Sequence, residues 1–169
     1  MCRIVFFYCL VFSLMGFAQK RTSPQEQAQE LGKVAWYRDF DQALAHSSKE
    51  DKPVFILFQE VPGCLTCRNY GKGVLSHSVI VETIEEYFIP VAIFNNKGGK
   101  DSEVLKRYDE PSWNNPVVRI VDAKGKNLIR RIAGDYSIAR VAQEMIRVLA
   151  ERQKTIPLDF HNLAKGLRY

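Results

Sequence analysis

Two periodicities run along this chain. Val54–Phe58 is wholly apolar and nearly all β-branched or aromatic, the pattern of a strand buried on both faces. Ile89–Phe94 repeats it. Pro116–Asp122 reads as a third strand, Ala123-Lys124-Gly125-Lys126 as a hairpin turn, and Leu128–Ala133 as the partner strand of that hairpin. Val34–Tyr37 is a short strand candidate upstream. Between these runs the apolar positions recur at helical spacing. Asp39 can cap a helix carrying Phe40, Ala43 and Leu44 on one face, with Gln42 as its capping-box partner and an end near Lys49–Asp51, before Pro53. Ser78 can cap a second helix through Tyr87, with Ile80, Ile84 and Tyr87/Phe88 inward. Ser102–Tyr108 is a short helix on Val104, Leu105 and Tyr108. Ser137 can cap a last helix, Ile138–Gln153, with Ile138, Val141, Ala142, Met145 and Leu149 inward.

Strands alternating with helices, followed by a hairpin and a closing helix, predict an α/β fold: a mixed central sheet with helices on both faces. The predicted domain spans residues 34–153. Residues 20–33 are polar and read as a leader or a frayed helix; residues 154–169 show no period and read as a tail. A chain of 169 residues can bury one real core.

The N-terminal residues read differently. Arg3 precedes the apolar stretch Ile4–Phe17, which exits through Gly16-Phe17-Ala18-Gln19 into polar sequence. A basic start, a short apolar run and a small-residue exit describe a secretory signal peptide over residues 1–19, cleaved near Ala18 or Gln19. The run is shorter than the about 20 residues of a membrane span, which leaves an uncleaved anchor as the weaker reading. A periplasmic or secreted protein with no stable membrane insertion is the expectation. Cleavage removes Cys2 and Cys9 and leaves Cys64 and Cys67 as the mature chain's cysteines.

Those two carry the candidate chemistry. Cys64-Leu65-Thr66-Cys67 follows the buried strand Val54–Phe58 and opens the next helix. A thiol at a helix N-terminus meets unpaired amides and the positive end of the helix dipole, which favour the thiolate. The thiolate is the nucleophile of disulfide exchange. Other readings of the pair stand beside this one. A bridge closing so short a loop restrains the unfolded chain little. A structural zinc takes four ligands, and His46, His77 and His161 are scattered. Copper(I) can accept two thiolates. Haem attachment requires His after the second Cys, where Arg68 stands.

With its Cys-x-x-Cys at a strand exit and a proline opening the later hairpin, the chain resembles the thioredoxin-like superfamily over about Val34–Gln153. Trp36 and Lys52-Pro53-Val54 are similar to its exported bacterial branch. Val61-Pro62-Gly63-Cys64 resembles a group in which the first reactive position is cysteine or selenocysteine. The resemblance implies a thioredoxin fold and an exported thiol–disulfide oxidoreductase. It implies that Cys64 attacks and Cys67 resolves, and that Pro116 is a cis-proline beside the thiols with Asn115 just before it. In the family this loop binds the backbone of an extended substrate. Trp113, three residues earlier, could line the same groove or anchor the loop. No cofactor or metal is implied. The implied partners are protein thiols or disulfides and a redox partner that resets the pair. The alternative is a non-catalytic binding module, for peptide or copper, on the same fold. The chain departs from the family where Gly63 precedes Cys64, where Leu65-Thr66 lie between the thiols, and where Phe58 occupies the place of a buried acid; Glu60 is the nearest acid.

Composition changes little. The net charge of +5 is spread along the chain and paired with acids, without the concentrated basic face that nucleic acids require. The three histidines read as surface or helix-end residues, Trp36 as core, and the charges of Asp101–Glu110 as a solvated helix face.

Overall fold

The computed structural model describes residues 21–113 and 116–166. Its centre is β1 (Val54–Gln59), every residue of which is buried. β2 (Ile89–Phe94) lies parallel to it on one side, with Val54 opposite Ile89 and Gln59 opposite Phe94. β3 (Val117–Val121) lies antiparallel on the other, with Phe58 opposite Val117. The sheet is therefore mixed, in the order β2-β1-β3.

Successive strand residues face opposite ways, and β1 divides its side chains accordingly. Phe55 and Leu57 enter one core with Trp36, Leu75, Ile80, Ile84 and Phe88. Val54, Ile56 and Phe58 enter a second core with Phe40, Val91, Ile93 and Tyr108. The first core is roofed by α2 (Leu65–Gly73), α3 (Ser78–Tyr87) and α5 (Ile138–Glu151); the second by α1 (Phe40–Glu50) and α4 (Lys100–Arg107). This is the layered architecture expected from the sequence. The caps at Asp39 and Ser137 form: Asp39 accepts from the Gln42 amide at 3.1 Å and Ser137 from the Arg140 amide at 3.2 Å. Asp51 closes α1 in the left-handed conformation, φ 50°. Trp36 is fully buried, its indole N–H donating to the Leu31 carbonyl at 2.9 Å.

Several elements differ from expectation. Val34–Tyr37 is not a strand; Tyr37 makes a single parallel bridge to Val91. The partner strand Leu128–Ala133 does not form; it keeps one isolated bridge, Val118 to Ile132, and a second, Val121 to Asn127, lies just before it. The buried residues there, Ile129 and Ile132, are three apart, which breaks the two-residue alternation a strand requires. Arg131, between them, reaches the buried Glu110 carboxylate at 2.8 Å. The N-cap of α3 is His77 rather than Ser78, with no side-chain capping bond. α4 starts at Lys100, two residues earlier than expected. α2, opened by the Cys pair as expected, ends on Gly73.

The charges of Asp101–Glu110 are not all solvated. Asp101 and Glu110 are buried. Arg38 pairs with Asp101 at 2.8 Å, and Glu110 is held between Arg119 at 2.7 Å and Arg131 at 2.8 Å. Burying these carboxylates is tolerated because the guanidinium partners replace the hydrogen bonds that water would supply.

Both ends of the described chain are also more ordered than the sequence suggested. Gln29–Leu31 forms one turn of 3-10 helix with Glu30 and Leu31 buried. Downstream, α6 (Leu158–Ala164) packs on α5, burying Phe160, Leu163 and Ala164. Its two turns are too short to display a period. No helix among the described residues is long and apolar enough to cross a membrane. The signal-peptide reading falls on residues outside the described ones.

Candidate active site

β1 delivers the chain to its C-terminal edge at Gln59, and the loop Glu60–Gly63 carries it into α2. The Val61–Pro62 peptide in that loop is cis. Asn96, beyond β2, clamps the loop: its Oδ1 accepts from the Val61 amide and its Nδ2 donates to the Pro62 carbonyl, both at 3.2 Å. Cys64 occupies the N-cap of α2 in an extended conformation, φ −69° and ψ 177°. The helix then turns once and brings Cys67 back beneath it, so the two sulfurs stand 3.6 Å apart as a dithiol.

The two thiols have opposite environments. Cys64 is exposed and Cys67 fully buried. The backbone amide of Cys67 foremost, with Cys67's side chain and the Thr66 amide and hydroxyl, holds the Cys64 thiol below its ordinary value. The two amides are among the unpaired donors of a helix N-terminus. Burial, reinforced by the nearby Cys64 sulfur, pushes the Cys67 thiol up to about 11. An alkylating agent should therefore label Cys64 with a midpoint below the ordinary thiol value of 9.0, and labelling should fade as pH falls through that midpoint. Cys67 should stay protected until about pH 11. Mass-spectrometric mapping across a pH series checks both; a Cys64 midpoint at or above the ordinary value would contradict the asymmetry.

Gly63 is fixed by space. Its φ is unremarkable, but a Cβ there would lie 2.4 Å from the Glu60 carbonyl oxygen, 2.7 Å from Cys67 Cβ and 3.2 Å from Cys67 Sγ. Its amide donates to the buried Glu30 Oε1 at 2.7 Å, and its carbonyl accepts from Arg68 at 2.8 Å. Gln59, also fully buried, donates from Nε2 to the Glu30 carbonyl and makes a long 3.5 Å contact to the Cys67 carbonyl. The 3-10 turn can sit so close because position 71 is glycine; a Cβ on Gly71 would meet the Gln29 oxygen at 2.1 Å. Thus the segment read as a leader reaches the residue next to the reactive thiol. Nothing in its polar composition marks Glu30 as buried. Gln59 could have been noticed as the polar residue abutting an otherwise apolar buried run.

Of the other residues singled out from the sequence, Pro116 is buried at the start of β3. The pairing of Phe58 with Val117 brings Pro116 to the sheet end from which the Cys loop departs. Trp113 is 78% exposed, and so is Leu65, at 64%, between the thiols. Asn115, and with it the expected cis Asn115–Pro116 bond, lies outside the described residues. Phe58 lies in the second core, so the position of the family's acid is apolar here. Glu60 is half-buried, and its carboxylate and both sulfurs lie within 4.8 Å of one another. That cluster offers three donors where a closed zinc site takes four, and none of the histidines joins it.

A mixed α/β domain with a dithiol at the N-terminus of the helix after its central strand defines the class. The chain belongs to the thioredoxin-like family, whose sequence model matches residues 35–123, more than half of its length. It is similar in structure to a thioredoxin from Thermus thermophilus, at 21% identity and a TM-score of 0.59, over 70% of this chain and 88% of that one. A DsbH oxidoreductase matches at 20% identity and 0.56, over 78% of this chain and 94% of that one. A proposed disulphide-isomerase from Bacteroides thetaiotaomicron matches at 20% and 0.55, over 76% of this chain and all of that one, 100%. At these identities the likeness is one of fold. No protein of curated function matches the sequence.

Proposed function

We propose that this protein is an exported thiol–disulfide oxidoreductase that exchanges disulfides with protein substrates through Cys64 and Cys67. The observation that carries the reading is the asymmetry of the pair: an exposed thiol held toward thiolate, 3.6 Å from a buried thiol held protonated. A nucleophile must meet the substrate, and a resolving thiol must wait until the first has reacted. In the reaction the Cys64 thiolate attacks a substrate disulfide and releases one substrate thiolate. Cys67 then attacks Cys64 Sγ, closing the Cys64–Cys67 disulfide and releasing the second. The two substrate sulfurs are reduced and the two protein sulfurs oxidised; an external partner resets the pair, and the reverse direction oxidises substrates. The electrons reside in the sulfurs, so the step requires no cofactor. Trp113, Asn115 and Pro116, with exposed Leu65, are proposed to bind an extended substrate. Export is proposed from the N-terminal residues, with cleavage near Ala18 or Gln19.

The test is trapping. Cys67→Ser, expressed in the native host, should accumulate mixed disulfides through Cys64, and Cys64→Ser should accumulate none. The trapped chains should begin after Ala18 or Gln19 on N-terminal sequencing. Equal trapping by both variants, or by neither, would replace this reading with that of a passive binding module. Chains beginning at Met1 in the cytosol would remove export from it.

A further inference from the structure

Cys67 poses a proton problem. Burial and the adjoining Cys64 sulfur raise its thiol to about 11, so near neutral pH its nucleophilic form is scarce. Part of that elevation disappears once Cys64 enters a mixed disulfide, because the Cys64 sulfur then carries no charge. The burial remains, and the proton still needs an acceptor.

Two carboxylates flank the pair. Glu30 is engaged by the Gly63 amide at 2.7 Å. It also lies outside the cluster in which one carboxylate and both sulfurs fall within 4.8 Å. Glu60 is the acid inside that cluster. Its backbone amide hydrogen-bonds the Cys67 sulfur and favours the thiolate there. One residue thus presents a donor to the Cys67 anion and an acceptor within one water's span of its proton. The remaining charged group at the loop, Arg68, is turned to the Gly63 carbonyl at 2.8 Å on the exposed side. Phe58, two residues before Glu60, points into the opposite core and offers nothing.

We propose that Glu60 is the proton acceptor for Cys67 in the resolving step, an inference that rests on the exchange reaction proposed above. In the mixed disulfide, the Glu60 carboxylate takes the Cys67 thiol proton, directly or through one water. The Cys67 thiolate attacks Cys64 Sγ. The Cys64–Cys67 bond forms as the bond from Cys64 to the substrate sulfur breaks. The departing substrate thiolate then collects the proton from the Glu60 carboxylic acid, which returns to carboxylate. Two electrons pass from the protein sulfurs to the substrate disulfide, and the proton count closes. Because Glu60 is half-buried at the loop rather than in a core, its replacement should spare the fold.

The experiment mixes the reduced protein with one equivalent of a dipyridyl disulfide. The first thiopyridone reports attack by Cys64, and the second reports resolution by Cys67. Glu60→Gln should leave the first phase unchanged and slow the second by about ten- to a hundredfold near neutral pH, toward the scale of general base catalysis. Glu60→Asp should recover part of the rate. The deficit of Glu60→Gln should shrink as pH rises toward the ionisation of Cys67 itself. Glu30→Gln, which keeps an acceptor for the Gly63 amide, should leave the second phase near the wild-type rate. An unchanged second phase in Glu60→Gln would overturn the assignment while leaving the exchange reaction standing. Equal slowing of both phases would also overturn it, showing an influence on the loop as a whole. A wild-type protein that never releases the second thiopyridone would overturn both readings.

Discussion

Gly63→Ala should impair disulfide exchange and destabilise the fold together. The added methyl would stand 2.4 Å from the Glu60 carbonyl oxygen and 2.7 Å from Cys67 Cβ. Neither is the far end of a flexible side chain that could swing away. Either the loop lifts from β1 or the first turn of α2 shifts, and either movement disturbs the seating of Cys67 beneath Cys64. Overpacking of this kind costs about 1–3 kcal/mol. The functional loss should exceed that cost, because the resolving attack depends on the alignment of two sulfurs now 3.6 Å apart. Denaturant unfolding gives the stability change, and the second phase of thiopyridone release gives the resolving rate. Exposure of Cys67 to alkylation at neutral pH should accompany the loss. Wild-type stability and exchange in this variant would mean that the loop is not held as tightly as its contacts indicate.

Phe160→Ala should produce the largest purely structural effect. Phe160 is fully buried, and its ring joins the core that also holds Trp36, Phe55 and Phe88. Removing a buried aromatic ring costs about 3–5 kcal/mol when the cavity cannot collapse. The neighbouring helix is fastened there by Gln143 Nε2, which donates to the Ala164 carbonyl at 2.9 Å, so collapse is restricted. Leu158, on the same helix but 75% exposed, is the control: Leu158→Ala should leave unfolding midpoints almost unchanged. A small effect of Phe160→Ala would show α6 to be a loose appendage after all. The Cys64 alkylation profile should be insensitive to the change while the protein stays folded, because α6 packs on α5 and α3 whereas the thiols stand at the start of α2.

These two residues mark the limits of what the sequence reveals. Elements with long, unbroken patterns were legible: β1 and β2 as apolar runs, α1 and α5 through their caps and their apolar faces. So was the thiol pair, because two cysteines at a helical spacing after a buried strand have a local physical meaning. What was not legible depends on contacts between distant segments. Phe160 sits in a two-turn helix with no period to detect, and its burial follows from α5 rather than from its neighbours. Glu110 looks like one more charge in a charged stretch until Arg119 and Arg131 converge on it from elsewhere. Glu30 is an acid in a polar segment, and only the folded chain brings it to Gly63. The hairpin partner failed for a different reason: Leu128–Ala133 has the composition of a strand without its alternation, since Ile129 and Ile132 both turn inward.

The 3-10 turn bears on how this domain can be transplanted. The family match begins at residue 35, and a designer grafting that matched region onto another protein would cut there. The graft would strip the Gly63 amide of Glu30, the Gln59 side chain of the Glu30 carbonyl, and the Trp36 indole of the Leu31 carbonyl. Each buried donor left unsatisfied costs about 1–3 kcal/mol. The Trp36 amide would also lose the Thr22 hydroxyl that meets it at 2.8 Å. The unit that can be moved intact therefore starts no later than Arg21, whose guanidinium ties the Ala35 carbonyl to Glu85 on α3. By ancestry the module is the matched stretch; by mechanics it is longer, and the added piece holds up the floor beneath the thiols.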